Sequence, residues 1–177
     1  MDTTTGDTSG NDPFASGETD MKKIKKILMS TDFSECAKAA FDEAVQLTRQ
    51  LNAALLLTHV IEPIDIASSH IEPFDFLELR LLQKLDRMAH PLREEGLLVE
   101  THLFKGDPAA EIIKAAGDLQ CHLIVMGTHG RTGVQRLLMG SVTERVLRAS
   151  PVPIVAVRRQ AAAENKKTLA KEETAAA

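Results

Sequence analysis

Along residues 24–157 the apolar positions follow two spacings in alternation. Short, nearly continuous apolar runs occupy 24–31, 54–61, 97–104, 121–126 and 153–157. Between them lie stretches whose apolar residues recur three and four apart. Residues 34–51 carry Ala37, Ala40, Phe41, Ala44, Leu47 and Leu51, and residues 74–95 carry Leu77, Leu81, Leu85 and Met88. That spacing lays one stripe along a helix. Residues 108–119 open with Pro108, which suits a first helical turn, and Gly96 follows 74–95 as a C-cap. A fourth helix is predicted over 141–149. The run 54–61 is polar only at Thr58 and His59. A strand with so little alternation is buried on both faces, as in a parallel sheet. The order βαβαβαβαβ therefore predicts an α/β fold, an open doubly wound five-stranded parallel sheet with helices on both faces. Such sheets bind ligands outside the carboxyl ends of their strands. Three segments fall there: the turn after the first strand, the end of the second, and the loop after the fourth.

The third of these carries glycines at 127, 130 and 140, with Ser141 next. Glycine permits positive φ and a close backbone approach to a ligand. Ser141 and Glu144 have the spacing of a capping box, which predicts a helix start at Ser141. Free amides and the dipole at such a start favour an anion. Between 127 and 150, Arg131, Arg136, Arg145 and Arg148 face one acid, Glu144, an excess of three positive charges. A phosphate chain suits this segment better than a neutral ligand. The pattern is not a P-loop, because no Gly-Lys-Ser/Thr occurs, and the first strand–helix turn lacks a dinucleotide fingerprint.

Composition narrows the alternatives. The 177 residues are 44% hydrophobic and 26% charged, an ordinary globular mix. The net charge of −4 comes from the first twenty residues, which hold five acids and no base. That stretch is predicted to be a disordered acidic tail, and 160–177 a flexible Ala/Lys/Glu tail. The remaining domain, 21–159, is nearly neutral, with eighteen bases against seventeen acids. With no Trp or Tyr and no basic excess, a nucleic-acid partner is not expected. No apolar run approaches a membrane span and no secretory leader is evident, so a cytoplasmic protein is expected. Cys36 and Cys121 have neither CxxC nor zinc spacing and are expected to be reduced, buried thiols. The six histidines are scattered with no pair at metal-ligand spacing, so no metal site is expected.

The spacing Gly127, two residues, Gly130, nine residues, Gly140, Ser141 resembles the phosphate motif of the universal stress protein family, in its ATP-binding branch. Ser30-Thr31-Asp32-Phe33-Ser34 and Thr58-His59-Val60-Ile61-Glu62-Pro63 resemble the family's strand ends as well, and the likeness spans about residues 22–158. The resemblance implies a Rossmann-like fold of the adenine nucleotide alpha hydrolase type, with strand order 3-2-1-4-5. It implies that Asp32 contacts the nucleoside, that Val60 offers its backbone to the adenine edge, and that Ser30, Thr31 and Met126 border the same pocket. Gly127, Gly130, Gly140, Ser141, Val142 and Thr143 match the phosphate cradle, with Arg131 and Arg136 inside its loop. Mg²⁺ would come with the ATP. A homodimer through strand 153–157 is implied too, which would cover an otherwise open sheet edge.

Catalysis has less support. His129 could orient water, but no carboxylate is evidently paired with it, and His59 and His122 are placed as satisfied residues within strands. The expectation is a nucleotide-binding regulatory module with no catalytic residues. The alternatives are a slow ATPase or phosphoryl or nucleotidyl transferase, and a nucleotide-free structural or chaperone-like member. ADP, AMP or a cyclic nucleotide could replace ATP. Segment 62–73, with two Glu-Pro pairs, is either a lid or a surface connection.

Overall fold

The computed structural model describes residues 24–62, 74–129 and 139–158. Both predicted tails, segment 63–73, Gly130, Arg131 and Arg136 lie outside the described residues. The elements in order are β1 (Lys26–Ser30), α1 (Glu35–Leu51), β2 (Ala54–Ile61), α2 (Phe74–Glu94), β3 (Val99–Lys105), α3 (Pro108–Asp118), β4 (Leu123–Gly127), α4 (Ser141–Ala149) and β5 (Ile154–Val157). The five strands pair in parallel in the order β3-β2-β1-β4-β5.

Strand alternation divides the core into two layers. Ile27, Met29, Leu55, Leu57 and Val125 pack with Ala40 and Ala44 of α1 and Leu85 and Ala89 of α2. Leu28, Leu56, Val60, Ile124 and Met126 face the other way, onto Ala109, Ile112 and Ala116 of α3 and Val146 of α4. Leu55, Leu56 and Leu57 in succession are fully buried, the signature of a central parallel strand. Burying each contributes about 1.5–3 kcal/mol.

β3 and β4 start two residues later than their apolar runs. The reason lies in how the helices end. Asn52, Gly96 and Gln120 adopt positive φ. The next residue in each case donates back across the last turn: Ala53 to Thr48, Leu97 to Leu92, Cys121 to Ala116. This Schellman closure takes Leu97 and Cys121 out of the strands. Leu98, left between closure and strand, is 73% exposed. Pro91 lies inside α2 on its exposed side, and the closure at Gly96 follows one turn later. Cys36 and Cys121 are both buried and unbridged.

Candidate functional site

The strand order reverses between β1 and β4, which lie side by side while their chain connections run to opposite edges. At the carboxyl end of that seam lies a cavity of about 450 Å³. Pockets that enclose small ligands have this size. Ser30, Thr31, Asp32, Val60, Met126, Gly127, Gly140, Ser141, Val142 and Thr143 all line it. The structure thus brings together every predicted site residue it describes. Gly130 and Arg131 fall outside the described residues.

The floor is apolar. Val60, Met126 and Ile112 belong to the layer covered by α3 and α4, and all three line the cavity. The backbone of Val60 is oriented by alternation along β2. The Thr58 carbonyl accepts from Thr31 N–H on the β1 side, and the Ile61 carbonyl accepts from Gly106 N–H on the β3 side. Val60 therefore turns its N–H and C=O toward β1, past Ser30 where β1 ends. That edge can pair with a planar heterocycle.

Asp32 is held by the turn that leads into α1. Its Oδ1 accepts from Ser34 N–H at 3.0 Å, and Ser34 itself caps α1 by accepting from Ala37 N–H at 3.1 Å. Asp32 is thus not the cap of this helix. Phe33 takes φ +63°, uncommon for a bulky side chain. Thr31 Oγ1 accepts its N–H, its ring lies 4.6 Å from that of His59, and Lys84 Nζ sits 4.0 Å above its face. His59 Nδ1 lies 2.7 Å from the Thr31 carbonyl, so that nitrogen carries the proton. These contacts fix the turn and leave Asp32 at the cavity wall.

Three helix N-termini reach the cavity, α1 through Ala37 in the turn that Ser34 caps, and the caps of α3 and α4 differ. At α3, Asp107 accepts from Ala110 N–H at 2.9 Å, and Pro108 has no N–H to offer. At α4 the cap is Gly140, with extended backbone and no side-chain bond. The predicted capping box at Ser141 does not form, because the helix begins one residue earlier than that pattern requires. Glu144 instead pairs with Arg148 at 2.9 Å, and its N–H closes the first helical bond to Gly140. Gly140 N–H donates to the Thr128 carbonyl at 2.7 Å. The amides of Ser141, Val142 and Thr143 remain, with no acceptor among the described residues. An anion fits α4, whereas α3 is closed by its own carboxylate.

The expected excess of positive charge is smaller than its count. Arg145 makes a bidentate pair with Asp107 at 2.7 and 2.8 Å, and Arg148 is matched by Glu144. The Arg145 guanidinium holds the Asp107 carboxyl below its ordinary value, helped by the Ala110 amide.

The cavity also takes in residues that carried no cradle motif: Ala37, His59, Glu62, Pro108, Ile112 and His129. Pro108 and Ile112 come from α3, whose sequence holds no ligand signal; only the topology brings them in. His129 Nδ1 lies 3.0 Å from Thr128 Oγ1. His122, expected to be satisfied, keeps a buried Nδ1 without a partner among the described residues. No cluster of three or more His, Cys, Asp or Glu suited to a metal occurs among the described residues. No helix among them is long and apolar enough to cross a membrane.

Fold and cavity together define an α/β protein with a crevice at a topological switch point. The chain belongs to the universal stress protein family, whose model matches residues 23–158. The universal stress protein MJ0577 of Methanocaldococcus jannaschii is 31% identical over 155 residues, covering 77% of this chain and 96% of that one. Its solved structure superposes with a TM-score of 0.68 and 34% identity, over 79% of this chain and 99% of that one. A universal stress protein solved in complex with cAMP shares the fold at 22% identity and TM-score 0.56, over 77% of this chain and 98% of that one. One from Archaeoglobus fulgidus solved with dAMP does so at 19% and 0.52, over 76% and 97%.

Proposed function

We propose that the cavity binds an adenine nucleotide, ATP by preference, and that the protein is a nucleotide-dependent regulatory module of the stress response. The observation that carries this is the pairing of an apolar floor with an open helix start in one cavity. Val60, Met126 and Ile112 suit a flat base. Asp32 suits ribose hydroxyls or an exocyclic amine. The amides of residues 141–143 suit phosphate, and Mg²⁺ arrives with it. Two proteins of this fold hold adenine nucleotides, cAMP and dAMP, so the fold accepts the class. The acids lining the cavity, Asp32 and Glu62, stand at the ends of β1 and β2 rather than at the α4 start. Binding is therefore favoured over rapid phosphoryl transfer. Mass spectrometry of nucleotide released from the purified protein, with titration calorimetry against ATP, tests the reading. Co-purified ATP supports it; no binding at millimolar nucleotide overturns it.

A second reading, slow ATP hydrolysis, rests on His129 at the cavity wall. It predicts that His129→Ala lowers turnover while leaving ATP affinity in place. The module is further proposed to be a homodimer through β5, an edge strand whose outer side has no partner strand among the described residues. A monomer by light scattering at micromolar concentration contradicts that.

A further inference from the structure

Thr143 lies in the first turn of α4 and is 3% exposed. Its hydroxyl donates to the Gly127 carbonyl at 2.8 Å. A hydroxyl has one proton. Spent on Gly127, that proton is not available to an anion, and the remaining lone pairs repel one. The same helix start is held a second time, by Gly140 N–H on the Thr128 carbonyl. Two consecutive carbonyls at the end of β4 thus grip both ends of the segment 140–143. Thr128 is itself anchored, its N–H donating to Val157 of β5 at 2.9 Å.

We propose that Thr143 is a positioning residue for the phosphate seat. Its side chain fixes the pitch of the α4 start against β4, and it acts on phosphate only through the amides of Ser141, Val142 and its own backbone. This rests on the nucleotide reading above. The alternative, a hydroxyl that ligates phosphate directly, requires the Gly127 bond to break on binding.

Thr143→Val keeps the shape and removes the proton. Titrations with ATP and with adenosine, beside thermal melts, separate a role at the phosphate seat from general stability. The variant loses about fivefold to tenfold in ATP affinity, the effect of one hydrogen bond, and stays within about twofold for adenosine. Thr143→Ser restores ATP affinity. Should the valine not fold, Thr143→Ala serves for the same comparison. If wild type binds ATP and the valine variant binds it equally well, the positioning role is overturned and the nucleotide reading stands. If ATP and adenosine weaken together in step with a lower melting temperature, the role is general stability and the proposal also falls. If wild type binds neither ligand, the nucleotide reading fails and takes this proposal with it.

Discussion

Gly127 ends β4 with the first turn of α1 pressed against it: a Cβ there would stand 3.0 Å from Cys36 Sγ and 3.1 Å from the Cys36 carbonyl carbon and oxygen. The glycine is therefore needed for packing before any ligand arrives. Gly127→Ala is expected to destabilise the protein by about 1–3 kcal/mol, as overpacking does. Adding Cys36→Ala recovers only part of this, because two of the three close atoms are backbone. Thermal or denaturant unfolding of the single and double variants checks it. A Gly127→Ala protein as stable as wild type contradicts it.

Asp32 and Thr143 serve opposite ends of the proposed ligand, so their variants should differ in kind. Asp32→Ala removes the acceptor for Ser34 N–H, at about 0.5–1.5 kcal/mol of stability. In calorimetry it is expected to weaken adenosine and ATP together, by about tenfold. Equal binding of adenosine by the variant and wild type would remove Asp32 from the nucleoside site.

The Cys121 thiol is pushed up to about 11 by burial, from 9.0. Its folded value lies above its unfolded one, so the folded state holds the proton longer. The contribution to stability is intact below pH 9 and is lost as pH rises from 9 to about 11. Subtracting the unfolding free energies of Cys121→Ala from those of wild type across pH 7–11 isolates it. The difference should shrink above pH 9, and a flat difference refutes the assignment. At pH 8 the thiol is also expected to resist alkylation until the chain unfolds.

The sheet was legible because β2 and β4 are apolar runs that no half-exposed strand would carry, and because the α1 and α2 stripes keep helical phase. Strand starts were less so. Gln120 closes α3 at positive φ without being glycine, and nothing in its type announces that. The three site segments were legible as glycine spacing and strand-end acids. Pro108 and Ile112 were not, since their place in the cavity follows from sheet order alone. The Ser141 capping box failed for a local reason: Gly140, extended at φ −74° and ψ 151°, takes the cap one residue earlier. Arg145 was counted toward phosphate on sequence proximity. In space its nearest acid is Asp107, thirty-eight residues away.

In the proposed function the start of α4, with Gly140 as its cap and no side-chain bond to its amides, is open to a phosphate chain. Gly140→Asp tests it most directly, by placing a carboxylate at a cap position whose backbone any residue can adopt. This one substitution is expected to move stability and ATP affinity differently. Stability should hold or rise by a few tenths of a kcal/mol, since aspartate caps better than glycine. ATP affinity by calorimetry should fall at least about tenfold, because the carboxylate takes the amides and repels phosphate. A Gly140→Asp protein that binds ATP as wild type does would contradict a phosphate seat at the α4 start.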